Sequence, residues 1–120
     1  MQKLAKREEQ IMQACWHLEK AFIKDIIAEL PEPRPHYNSV ATMVRILEDK
    51  GFLNHEIFGN TFRYFPLVSK DDYQKHAFDD MVKQYFNNSY PSMLAYFAKE
   101  QKISKEEIDD ILEIIKSQKK

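Results

Sequence analysis

The sequence predicts a mainly α-helical fold with one small β-hairpin. Apolar residues recur at helical spacing along most of the chain, which indicates amphipathic helices. Two segments rich in aromatic and β-branched residues flank Gly59-Asn60, which is the pattern of a hairpin. The chain has only two glycines, so a fold built on glycine-rich phosphate loops or on long irregular connections is disfavoured.

The composition is that of an ordinary globular protein. The 120 residues suffice for one domain or two small lobes, with 43% hydrophobic and 31% charged residues. The net charge of −1 does not by itself indicate nucleic-acid binding. No apolar run is long enough to span a membrane, and the N-terminus lacks the apolar stretch of a signal peptide. We therefore expect a cytoplasmic protein without membrane insertion.

The N-terminal part begins with two predicted helices. Residues 4–19 and residues 22–30 each carry apolar side chains along one helix face. Pro31, Pro33 and Pro35 then end the second helix, because proline lacks a backbone donor and disfavours a helical residue before it. A stiff extended segment follows.

A third helix is predicted from Asn38 or Ser39, either of which can cap it, to about Lys50. Gly51 then stands where a helix C-cap requires a positive φ. The apolar face consists of Val40, Met43, Val44 and Leu47. The opposite face is small and polar and consists of Asn38, Thr42, Arg45 and Asp49.

A β-hairpin is predicted next, with strands at Phe52–Phe58 and Thr61–Pro66. Glycine at the first central position of the Gly59-Asn60 turn fits type II′. Further helices are predicted over residues 69–87, with Ser69 and Asp72 in an approximate capping box, and over residues 92–99 after a turn. A capping box at residues 104–107 starts the last helix.

Three helices followed by a hairpin is the element order of a winged helix-turn-helix, whose third helix enters the major groove of DNA. The small residues Ser39, Ala41 and Thr42 would let the helix backbone approach base edges, and Arg45 can reach guanine or phosphate. The alternative is that this face is an ordinary solvated helix surface, and the pattern alone leaves both interpretations open.

The C-terminal segment carries more aromatic and aliphatic surface than three short helices can bury, because small units bury little. A dimer that interleaves these helices would cover that surface, and a dimer also fits a two-fold symmetric operator. In the alternative interpretation the helices pack back on the winged domain of the same chain.

Several stretches of the sequence are similar to one known family. They are EEQIMQACWHL, IIAELPEPRPHYNSVATMVRILEDKGFLNHE, FRYFPLVSKDDY and SYPSMLAYFAKEQKISKEEIDDILEII. With them the chain resembles the penicillinase-repressor family of bacterial regulators, which includes BlaI, MecI and CopY. The resemblance implies a homodimeric transcriptional repressor of a palindromic double-stranded DNA operator. It also implies a winged helix-turn-helix DNA-binding domain at 1–68 and a helical dimerisation domain at 69–120.

The candidate site residues fall into two groups. The DNA-binding candidates are Tyr37, Asn38, Ser39, Ala41, Thr42, Arg45, Lys50 and Arg63. The dimerisation candidates are Phe78, Met81, Tyr85, Phe97, Ile108, Ile111, Leu112 and Ile115. The hairpin between residues 56 and 61 has no Lys or Arg, so we expect fewer phosphate contacts than in family members with basic hairpins.

In the β-lactam-responsive branch of the family, a membrane-bound zinc metalloprotease sensor triggers cleavage of the repressor at an Asn-Phe bond. The matching bond here is Tyr96-Phe97, which keeps the Phe but not the Asn. In the alternative interpretation these two residues are buried aromatics of a short helix. The copper-responsive branch carries C-terminal Cys-x-Cys pairs, and their absence from this sequence argues against copper sensing.

No catalytic motif, cofactor fingerprint or metal-ligand spacing occurs in the sequence, so we predict no enzyme, no cofactor and no metal. The single cysteine, Cys15, lies on an apolar helix face and is predicted to be an inert buried thiol. Two other functions remain open: the aromatic hairpin could bind a protein, or the C-terminal helices could hold a small-molecule effector.

Overall fold

The computed structural model describes residues 1–118, without the side chains of residues 115, 116 and 118. The mainly helical fold with one hairpin is confirmed. The elements in chain order are α1 (Lys6–Leu18), α2 (Ile23–Glu29), α3 (Tyr37–Asp49), β1 (Leu53–Phe58), β2 (Thr61–Pro66), α4 (Lys70–Tyr85), α5 (Tyr90–Lys99) and α6 (Lys105–Gln118). No helix of the described part is long and apolar enough to cross a membrane.

The chain divides into two compact units, Met1–Ala77 and Phe78–Lys120. The division falls within α4, beyond the boundary predicted after residue 68. Tyr73, in the first turns of α4, is buried in the core of the first unit. The assignment of DNA binding and dimerisation to the two parts of the chain stays a prediction.

One hydrophobic core fills the first unit. Its fully buried side chains come from the three helices and from the start of the hairpin, and they include Ile11, Met12, Cys15, Ile26, Val40, Val44, Leu47, Phe52 and Leu53. Burial of each large aliphatic or aromatic side chain stabilises a fold by about 1.5–3 kcal/mol. The apolar face predicted for α3 therefore points inward, which leaves the opposite face to the outside.

Tyr73 ties the first turns of α4 to the N-terminus. Its hydroxyl donates to Glu9 Oε2 at 2.6 Å and accepts from the backbone N–H of Leu4 at 3.4 Å. Its ring lies 5.7 Å from that of Trp16 and 5.9 Å from that of Phe52. Burial and the bond to Glu9 raise the pKa of Tyr73 to about 12.

The two ends of α3 show one wrong prediction and one confirmed prediction. The helix begins at Tyr37 with His36 as N-cap, so Asn38 and Ser39 lie inside its first turn and do not cap it. At the other end Gly51 has a φ of 85°, as predicted. Bonds from Gly51 N to Glu48 O and from Phe52 N to Leu47 O, both 2.9 Å, form a Schellman motif.

The hairpin, which we call the wing (residues 53–66), has the predicted two-residue turn. Phe58 pairs with Thr61, and Gly59 has a φ of 62° while Asn60 does not have a positive φ, as a type II′ turn requires. The sequence did not predict an isolated β-bridge beside this two-stranded sheet. Ala21, between α1 and α2, exchanges two backbone hydrogen bonds with Tyr64 at 2.8 and 2.9 Å.

The second unit contains the end of α4 together with α5 and α6. Helix α5 begins at Tyr90, earlier than the predicted Ser92, because Ser89 caps it and accepts from Ser92 N at 3.1 Å. Pro91 is tolerated in the first turn, where its missing N–H is not needed. The predicted capping box of α6 is confirmed by reciprocal bonds between Ser104 and Glu107 at 3.0 and 3.1 Å.

Candidate nucleic-acid interface

The outer face of α3 presents most of the predicted DNA-binding residues together. Five of them are exposed and Ala41 is half-buried; the exposed ones are Tyr37, Asn38, Ser39, Thr42 and Arg45. The Thr42 hydroxyl donates to the carbonyl of Asn38 at 2.9 Å, so its oxygen keeps the capacity to accept a hydrogen bond from a base. This face can therefore approach base edges closely and offers both acceptors and donors.

Arg45 is the only Lys or Arg of α3. Its side chain is exposed and forms no ion pair with any residue whose side chain the structure describes. A guanidinium in this position is able to bind guanine in bidentate fashion or to contact a phosphate.

Lys50 is placed differently. Its ammonium binds Glu8 Oε2 at 2.8 Å, and the two side chains are only 27% and 11% exposed. Burial raises the pKa of Glu8, but the hydrogen bonds from Lys50 and Ala5 and the charge of Lys50 outweigh burial and hold that pKa below its usual range. Lys50 thus ties the end of α3 to α1, and its charge is already matched within the fold.

Arg63 on the wing is also engaged. Its Nε and Nη2 donate to Glu56 Oε1 at 2.8 and 2.5 Å, and its guanidinium lies 4.5 Å from the centre of the Phe58 ring. Lys20 binds the same Glu56 oxygen at 3.3 Å. The wing therefore presents little free positive charge, and its most exposed large side chain is Ile57.

Sequence reasoning missed one contact that joins the wing to α3 and one shallow cavity that both of them line. His55 of β1 lies 2.6 Å from a carboxylate oxygen of Glu48 near the end of α3, and its ring stacks on Phe62 at 4.1 Å. Tyr37, at the start of α3, lines a shallow cavity together with Phe62 and residues of the wing turn. The hairpin register pairs His55 with Tyr64, but no pattern in the sequence indicates the distance to Glu48.

The sequence pattern of the penicillinase repressor family matches residues 4–117. The chain belongs to this family. The penicillinase repressor of Bacillus licheniformis is 25% identical over 118 residues, which cover 98% of this chain and 92% of that protein. The methicillin resistance regulatory protein MecI of Mammaliicoccus sciuri is 21% identical over 114 residues, covering 94% and 93%. MecI of Staphylococcus aureus strain N315 is 20% identical with the same coverage.

Membership of the penicillinase repressor family settles the class of protein. Its members are DNA-binding transcriptional repressors and not enzymes, so the predictions of a transcriptional repressor and of a chain without catalytic activity are confirmed. Within the described residues, no three His, Cys, Asp or Glu side chains are grouped to hold a metal ion. His17 is instead bonded to Glu29.

Cys15 is fully buried in the first core, and burial raises the pKa of its thiol to about 12. We therefore expect iodoacetamide to leave Cys15 unmodified in the native protein at about pH 8 and to label it after denaturation, as measured by intact mass. Labelling of the native protein at the rate of a free thiol would contradict the assignment of an inert thiol.

The dimerisation candidates in the second unit remain largely uncovered in the single chain. Phe78, Tyr85 and Leu112 are exposed; Met81, Phe97, Ile108 and Ile111 are half-buried; the side chain of Ile115 lies outside the described residues. An apolar cavity of about 450 Å³ lies between α4 and α5 and is lined by Met81, Tyr85, Phe86, Tyr96 and Phe97. Tyr85 is 72% exposed, which is unusual for an aromatic side chain on an apolar helix face.

Proposed function

We propose that the chain is a homodimeric repressor that binds a palindromic DNA operator and places α3 of each protomer in a major groove. The observation that carries this proposal is the outer face of α3. It is small, polar and exposed, and it holds a guanidinium without a partner among the described side chains. Such a surface suits base contact, because small side chains let the helix backbone approach base edges and the guanidinium can reach guanine or phosphate.

A second copy of the chain is the proposed cover for the second unit. Phe78, Tyr85 and Leu112 leave apolar surface in water, and monomeric soluble proteins rarely expose large contiguous apolar patches. An isologous dimer buries the same patch on both protomers and presents two α3 helices in two-fold symmetry. Half-sites one helical turn of DNA apart match that symmetry.

Selection of bound duplexes from a random DNA pool tests the proposal. We expect a two-fold symmetric sequence to be enriched and its binding to weaken as salt rises, because bound phosphates release counterions. If no sequence is enriched, operator recognition is contradicted.

Two other results would support different functions. If the chain binds a protein, and that binding depends little on salt, the aromatic wing has a role in protein binding. Weakened DNA binding on addition of a small molecule would support an effector site in the second unit.

The proposal includes a route by which repression is relieved, namely cleavage of the Tyr96-Phe97 bond after a signal from a membrane-bound metalloprotease sensor. The bond lies inside α5, and the Phe97 ring packs against that of Phe86 at 6.1 Å. A protease requires an extended substrate, so α5 must unwind locally before this bond is cut. Cleavage would detach α6 from the rest of the second unit and remove part of the proposed dimer surface.

Intact mass spectrometry of the repressor from induced cells tests this route. If cleavage relieves repression, the full-length mass disappears and fragments that end at Tyr96 and begin at Phe97 replace it. A full-length chain on derepressed promoters would rule cleavage out.

A further inference from the structure

Glu56, near the middle of the wing, binds two positively charged side chains. It lies on β1 directly opposite Arg63 on β2. Its Oε1 atom accepts from Nε and Nη2 of Arg63 at 2.8 and 2.5 Å, and from the ammonium of Lys20 at 3.3 Å. The backbone bridge between Ala21 and Tyr64 fixes Lys20 beside the hairpin. Arg63 is the only Lys or Arg of the wing, so one carboxylate engages all of the wing's positive charge.

The Glu56 carboxylate binds Arg63 and Lys20 in the way that a DNA phosphate would. Hydrogen bonds from Arg63 first, then from Lys20, hold the pKa of Glu56 below its usual range, so the group is ionised at neutral pH. Arginine binds carboxylate and phosphate with the same donors, and a donor held by one is withheld from the other. The side chains of Glu56 and Lys20 are 37% and 52% exposed, so DNA has access to this group.

We propose that Glu56 competes with DNA phosphates for Arg63 and Lys20, and thereby lowers the affinity of the winged unit for any duplex. This inference rests on the proposed DNA-binding function. It identifies Glu56 as the residue that limits the electrostatic contribution to DNA affinity. The Nε and Nη2 donors of Arg63 reach a phosphate only by giving up their bonds to Glu56, so that exchange yields little net binding. Phosphate contacts carry no sequence information, so occupancy of the operator then depends more heavily on the base contacts of α3.

The test is the variant Glu56→Gln in the full-length protein. Glutamine keeps the size of the side chain and its hydrogen-bonding capacity but removes the charge that holds the cations. Binding to a random-sequence duplex is measured by fluorescence anisotropy over a series of salt concentrations. We expect binding about tenfold tighter near 0.1 M salt, with the slope of log K against log salt steeper by roughly 0.9 for each freed cation.

Glu32→Gln is a matched control, since it changes the net charge by the same amount. Glu32 also binds an arginine, Arg34, at 3.5 Å, but the Arg34 guanidinium is held independently by the carbonyls of Leu30 and Ala28. No cation is released in this variant, so we expect a much smaller gain in affinity and an unchanged salt slope. In a second control, the double variant Glu56→Gln, Arg63→Ala should lose most of the gain.

Each outcome decides between the explanations. Equal gains in Glu56→Gln and Glu32→Gln would show an effect of net charge alone and overturn the inference. Weaker binding by Glu56→Gln would show that Glu56 positions Arg63 for DNA, which also overturns it. If the wild-type chain binds no duplex even at low salt, the DNA-binding proposal itself fails. If the wild type binds and Glu56→Gln matches it in affinity and slope, only the competition by Glu56 is refuted.

Discussion

Replacement of Arg45 by alanine is expected to weaken operator binding by about 1–3 kcal/mol, which is roughly 5- to 150-fold. Arg45 is the only cation of α3, its side chain is exposed, and it has no ion-pair partner among the described side chains. Lys50 and Arg63, the other predicted cations of the interface, already bind Glu8 and Glu56. The loss of Arg45 therefore removes a large share of the DNA contacts available to each protomer.

Two further measurements identify what Arg45 contacts. Arg45→Lys keeps the charge but loses the planar fork, so it should bind more weakly than the wild type if Arg45 pairs with guanine, and nearly normally if it contacts phosphate. A duplex of unrelated sequence should show the same loss in Arg45→Ala only in the phosphate case. Thermal unfolding should be unchanged, because the side chain is exposed. An operator affinity equal to that of the wild type would exclude Arg45 from the interface.

The orientation of α3 was predictable because one local pattern determines it. The spacing of Val40, Val44 and Leu47 places these residues on one helix face, and the structure buries all three. Gly51 and Gly59 were equally informative, since each occupies a position that needs a positive φ. The predicted N-cap of α3 was wrong. Asn38 and Ser39 are good capping residues by type, but the backbone enters the helix before either of them.

Contacts between distant parts of the chain were not predictable in the same way. Glu8 and Lys50 are 42 residues apart, and only the packed core brings them together. Tyr73 continues the apolar face of α4, so periodicity alone could not show that it packs in the first core. The pair Glu56–Arg63 is an intermediate case. The two-residue turn at Gly59-Asn60 fixes the hairpin register, and counting back from it places the two residues opposite each other.

Replacement of Leu112 by lysine should convert the protein into a monomer and weaken operator binding by about 100-fold or more. Leu112 is 44% exposed on α6 in the single chain, so a lysine there is solvated and costs the protomer little stability. In the proposed dimer the same position is covered by the second protomer, and the lysine charge would have to leave water. The two α3 helices would then bind as separate units, without the gain in effective concentration that the dimer provides.

Glu113→Gln is the matched control on the same helix, because it raises the net charge by the same amount at a neighbouring exposed position. Sedimentation at micromolar concentration should show a dimer for the wild type and for Glu113→Gln, and a monomer for Leu112→Lys. The added positive charge should favour DNA electrostatically in both variants, so a loss of operator binding confined to Leu112→Lys must come from the lost dimer. If Leu112→Lys remains a dimer, α6 does not belong to the interface. If the wild type sediments as a monomer, the homodimer is refuted. A different partner would then have to cover the apolar surface of Tyr85 and Leu112.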